Sequence, residues 1–85
     1  MTLNEELEVV RSREDLSQFV QSLAHNLRDH PEEWGNPDLF RYIEALSGWI
    51  ADMHGYFRNA HGKDVPEQPT WEMFGMMLLA AKYYE

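Results

Sequence analysis

Eighty-five residues carry fifteen acids against seven bases, a net charge of −8, with 44% hydrophobic and 13% aromatic residues and no cysteine. The absent cysteine excludes disulfide and thiolate chemistry, and the aromatic content excludes a disordered chain. The negative field makes nucleic acid and anionic membranes poor partners and a basic protein a better one.

A chain of this length is expected to form one domain over residues 1–85. It has a single core and little room for a drug-sized pocket within one protomer. The start of the chain lacks a basic region followed by an apolar run, so no signal peptide is expected. The longest apolar stretch, residues 76–81, falls far below the ~20 residues that span a bilayer. A soluble, cytoplasmic protein is the expectation.

Thr2 and Glu5 have the spacing of a capping box, and Leu3, Leu7 and Val10 follow at helical intervals. A short first helix is expected there, with a strand through residues 7–10 as the alternative. Ser12 caps the next helix, with Glu14 and Asp15 at its positive end. Leu16, Phe19, Val20, Leu23 and Leu27 keep the 3.6-residue period, and Pro31 stops that helix.

Residues 31–36 form a connector. Asn36 is expected to cap the second long helix, with Pro37 at its first position, where proline is tolerated. Leu39, Ile43, Leu46, Ile50, Met53 and Phe57 make its core stripe, with Tyr42, Trp49 and Tyr56 beside them. Gly62 and Asn59 mark its stop. Two prolines make residues 63–69 an extended loop, and Thr70 caps a last helix running to about Tyr84. The expected architecture is all-α: a three-helix core (about 12–30, 36–58 and 70–84) with a short N-terminal helix.

The last helix is apolar nearly all round. Trp71, Phe74, Leu78 and Ala81 form one face, and methionines, Leu79, Ala80 and tyrosines fill much of the rest. Such a helix is buried on several sides. It is either wedged between the two long helices or open on one face to another chain. Methionine and tyrosine suit adaptable interfaces, which makes Met73, Met76, Met77, Tyr83 and Tyr84 candidate partner contacts. Self-association is favoured over a foreign partner, because homodimers are common.

Chemistry is poorly supported. His25 and Asp29 share a helix face, but two exposed ligands are too few for zinc, so no metal site is expected. Asp52 and His54 point about 160° apart on a helix and cannot act as a dyad. His30 sits at a helix end, where a histidinium is favoured, and His61 could approach His54 only through the fold. Glu44 and Asp52, with Gly48 and Gly55 on the same side, make a solvated polar face or a shallow acidic groove. Gly62 and Lys63 lack the rest of a phosphate loop, and no nucleophile elbow or zincin helix appears. No catalytic residue, cofactor or metal is assigned.

The run Trp34-Gly35-Asn36-Pro37-Asp38-Leu39 is followed by Tyr42-Ile43-Glu44-Ala45-Leu46-Ser47-Gly48-Trp49-Ile50 and by Asp52-Met53-His54-Gly55-Tyr56. After the proline loop come Thr70-Trp71 and the ending Ala80-Ala81-Lys82-Tyr83-Tyr84-Glu85. Together these resemble a family of small bacterial proteins, domain of unknown function 7660. The resemblance implies a bacterial, cytoplasmic helical domain and supplies no activity or catalytic residue.

The leading expectation is therefore a protein–protein interaction module. One form of it is antitoxin-like or immunity-like, binding and blocking a basic partner, with Glu44 and Asp52 as charged contacts. An alternative is a ligand-binding or enzymatic domain with a site near Trp49, Asp52, His54 and Trp71. A third is a structural subunit or homo-oligomer.

Overall fold

The structure, a computed structural model, describes residues 2–36, 38–62 and 64–83. It is all-α among those residues: α1 (Leu3–Glu8), α2 (Arg13–Asp29), a 3-10 turn (Pro31–Glu33), α3 (Leu39–His61) and α4 (Trp71–Ala81). This is the expected architecture of three longer helices and a short first one. No helix among the described residues is long and apolar enough to cross a membrane.

Each helix starts where a side chain can satisfy amides that have no intrahelical partner. Thr2 and Glu5 close the capping box of α1, and Glu5 Oε1 accepts from the Thr2 backbone N–H at 3.0 Å. That hydrogen bond holds the Glu5 carboxyl below the usual carboxylate range. Ser12 caps α2 and Thr70 caps α4, as expected. For α3 the cap is Asp38, whose carboxylate accepts from the Arg41 N–H at 2.9 Å, in place of the expected Asn36. The expected role of Pro37 lies outside the described residues.

Helix α3 runs to His61, one turn past the expected end, and stops at Gly62 with φ +67. Only glycine enters that left-handed region without a steric cost.

Helix α4 lies between α2 and α3. It packs on both, whereas no Cα pair of α2 and α3 approaches within 8 Å. Two separate apolar clusters result. On one side Val10, Phe19, Leu23, Trp34 and Leu79 are buried together. On the other, Trp49, Met53 and Phe57 of α3 close on Met73 of α4, with Met76, Met77 and Ala80 around them. Helix α1 lies against both α2 and α4. At Gly75 an added Cβ would sit 2.8 Å from Leu7 Cδ1 and 3.4 Å from both Leu16 Cδ1 and Phe19 Cδ2. The missing side chain leaves room there for the Leu7 tip, with Leu16 and Phe19 close behind it.

The C-terminal end of α4 is closed by distant parts of the chain. The last four carbonyls of a helix lack intrahelical donors, and here each has one. Tyr42 Oη donates to the Leu78 carbonyl at 2.7 Å, and Asn36 Nδ2 donates to that of Ala81 at 3.1 Å. The Leu79 and Ala80 carbonyls accept from the Lys82 and Tyr83 amides, and the Gly35 N–H donates to the Lys82 carbonyl at 3.0 Å. The sequence assigns Asn36 to the start of α3; in the fold it closes the end of α4 and is buried (8% exposed). The helix ends at Ala81, short of the expected Tyr84, which lies outside the described residues.

Candidate interaction surface

The expected α3 stripe is rotated in the fold. Ala45, Trp49, Met53 and Phe57 are its buried line. Leu39, Ile43 and Ile50, expected in the core, are 74%, 54% and 45% exposed. The reason is topological. A stripe at 3.6-residue spacing marks an apolar face, but among the described residues α4 is the only helix packed on α3, and it takes the Trp49–Met53–Phe57 edge of that face. The other edge, Leu39–Ile43–Ile50, is left as a ridge, flanked by Phe40 at 73% exposure.

Beside the ridge runs a groove. Because α2 and α3 stand apart, the stripe Trp71, Phe74 and Leu78 of α4 forms its floor. One half, about 480 Å³, is walled by Val20, Leu23 and Leu27 of α2 and by Leu39 and Tyr42 of α3, with Trp34 closing the end. The other half, about 410 Å³, lies among Leu16, Leu46, Ile50, Trp71, Phe74 and Met77. Leu78 lines both halves, which adjoin at that residue. Asp38 is the one ionisable carboxylate in this lining, and it is paired with Arg41 Nε at 3.4 Å. Trp71 and Phe74 remain about two-fifths exposed on the floor, and Val20 equally so on the wall. The hydroxyl of Tyr42 is half-buried behind the wall, and burial pushes its pKa up.

The five expected partner contacts on and after α4 are placed unevenly. Met73 is buried (6% exposed), and Met76 and Met77 are half-buried against α3. Tyr83 is exposed, with its ring 4.8 Å from the Lys82 ammonium. Tyr84 lies outside the described residues. Met73 and Met76 face inward to α3, Met77 also lines the groove, and the Trp71–Phe74 edge reaches the surface. The apolar ridge of α3 is absent from that expected set, because periodicity marks it as core.

The polar candidates are dispersed. Glu44, Asp52 and His54 are all exposed on α3, and Trp49 is packed in the core. Neither half of the apolar groove is lined by Trp49, Asp52 or His54. The His61 ring lies 5.5 Å from those of Tyr56 and Phe57.

A second, polar basin of about 450 Å³ is lined by His25, Asp29, His30, Glu33 and Lys82 among others. Arg28 holds Asp29 by a 2.9 Å hydrogen bond and keeps its carboxyl below the usual range. The ligand atoms of His30, Glu32 and Glu33 lie within 4.8 Å of one another, all exposed. Lys82 is 2% exposed, its ammonium 4.0 Å from the Glu33 carboxylate and 5.5 Å from the Trp34 ring. Glu33, one of the three, is thus also the partner of Lys82.

Comparison with known proteins adds a family and no activity. The model described as "Family of unknown function (DUF7660)" matches residues 12–85. No curated protein and no solved structure matches the chain.

Proposed function

The chain belongs to the DUF7660 family, whose function is unknown, and we propose that it is a protein-interaction module that binds through the α3 ridge and the groove beside it. One observation carries this reading: seven large apolar side chains on that face are 40–74% exposed. At on the order of 100 Å² for each partly exposed large side chain, they present on the order of 700 Å². That is comparable to the roughly 300–600 Å² of the largest apolar patch on a typical monomer, a patch that is often functional.

The groove is also nearly uncharged, which suits an apolar occupant. The antitoxin-like or immunity-like form of the reading, with a basic partner, draws on the net charge of −8. It would use acids outside the groove, Glu44 and Asp52 among them. Of the alternative ligand-binding or enzymatic site at Trp49, Asp52, His54 and Trp71, only Trp71 lines one of these concavities.

The test is photo-crosslinking in the cells that encode the protein. A benzophenone amino acid replaces Phe40 in one variant and Gln18, exposed on α2, in another. The expected result is one or a few adducts of defined mass from position 40 and none above background from position 18. Equal, diffuse labelling from both positions would refute the module.

A further inference from the structure

Resting on the interaction reading, we propose that the occupant of the groove is a second copy of this chain, docked about a two-fold axis so that the α3 ridge of each protomer fills the groove of the other.

Three observations lead to this partner. The first is shape. Ridge and groove lie side by side on one surface and share Leu39 and Ile50. A two-fold contact requires one patch to be complementary to itself, and a ridge beside a matching groove meets that condition. The stripe Leu39, Ile43, Leu46 and Ile50 recurs at intervals of four, three and four residues along α3. This is the pattern that packs a helix against others in a bundle. Inserted between α2 and α3 of its partner, that stripe lies over the exposed Trp71–Phe74 edge of α4, which would then be covered on its remaining open side.

The second is area. The on-the-order-of-700 Å² left exposed per protomer is close to the ~800 Å² that each partner contributes to a standard-size interface.

The third is charge. A chain of net charge −8 repels its own copies wherever acids face acids. Here the groove half at Trp71 and Phe74 has no ionisable lining residue. The other half holds Tyr42 and, as its one carboxylate among the described residues, Asp38, paired with Arg41 at 3.4 Å. Two copies can meet along this lining without facing unpaired carboxylates in it, whereas a basic partner would find no unpaired acid there.

The experiment is sedimentation equilibrium of the full chain from about 1 to 500 μM. Dye binding with anilinonaphthalene sulfonate is measured on the same samples. The expected mass at the upper end is twice the 10.1 kDa of one chain. Ile43→Asp places a charge at the centre of the ridge at a residue 54% exposed in the protomer, so the fold tolerates it. It raises the dimer dissociation constant by ~100-fold or more, since each copy would bury an unpaired carboxylate. Gln18→Asp, away from the face, leaves the mass unchanged.

A wild-type chain that stays monomeric at 500 μM overturns the proposal, as does an Ile43→Asp variant that dimerises like wild type. A monomer that binds the dye strongly overturns only the second copy and leaves the open face for another protein. A monomer that does not bind it removes the interaction reading as well.

Discussion

Asn36 offers a sharp test of how this fold is closed. Its side-chain amide is buried and donates to the Ala81 carbonyl at 3.1 Å, across a sequence separation of 45 residues. Replacing it with alanine strands that carbonyl in the interior, which costs about 1–3 kcal/mol. In a domain of this size each kcal/mol lowers the melting temperature by about 4–8 °C, so Asn36→Ala should melt roughly 5–20 °C below wild type. Asn36→Asp is the discriminating variant. It has nearly the same shape but sets a charged acceptor against a carbonyl acceptor, and should lose more than the alanine variant.

Thermal and urea unfolding, followed by circular dichroism and tryptophan fluorescence, read both changes. Hydrogen exchange should show protection lost first at the Lys82 and Tyr83 amides. An Asn36→Ala chain melting within 2 °C of wild type, or an Asn36→Asp chain more stable than Asn36→Ala, would refute the closure of α4 described above.

Two further outcomes follow from the same packing. Tyr42→Phe removes the donor to the Leu78 carbonyl and should cost about 0.5–1.5 kcal/mol at neutral pH. Because burial raises the Tyr42 pKa, the folded state favours the neutral phenol. Its contribution is full below the unfolded value of ~10 and is lost as pH rises through the folded value. Urea titrations should therefore show the gap between wild type and Tyr42→Phe narrowing in alkali, and a gap that widens would be contrary. At Gly75, alanine should be nearly neutral, because the Leu7 tip can swing aside and helix propensity returns about 1 kcal/mol. Gly75→Val also presses on Leu16 and Phe19 and should cost about 1–3 kcal/mol, partly recovered by Leu7→Ala. A valine variant as stable as wild type in urea would contradict the close approach.

Most of the helices were legible in the sequence because their signals are local. A capping side chain reaches only three residues along the chain, so Thr2, Ser12 and Thr70 mark three helix starts directly. Gly62 marks the end of α3 because a left-handed residue is needed wherever a helix stops in that way. Periodicity likewise located an apolar face on every long helix, and the continuous apolar character of α4 pointed to contacts on several sides.

The tertiary structure decided what those faces meet. Periodicity gives the direction of an apolar stripe but not the number of neighbours available to cover it. Among the described residues only one helix packs on α3, so Trp49, Met53 and Phe57 are buried while Leu39, Ile43 and Ile50 stand out as a ridge. Of the expected partner contacts, Met73 and Met76 went to the α3 side of α4 and Met77 lies between that side and the groove, while Trp71 and Phe74 took the open side. Asn36 changed role for the same reason. A side chain reads locally as the cap nearest in sequence, yet the carbonyl it satisfies belongs to the helix nearest in space. Local backbone chemistry determined where the helices of this chain begin and end. Only the three-dimensional packing, with α2 and α3 held apart by α4, decided which apolar surface was left exposed.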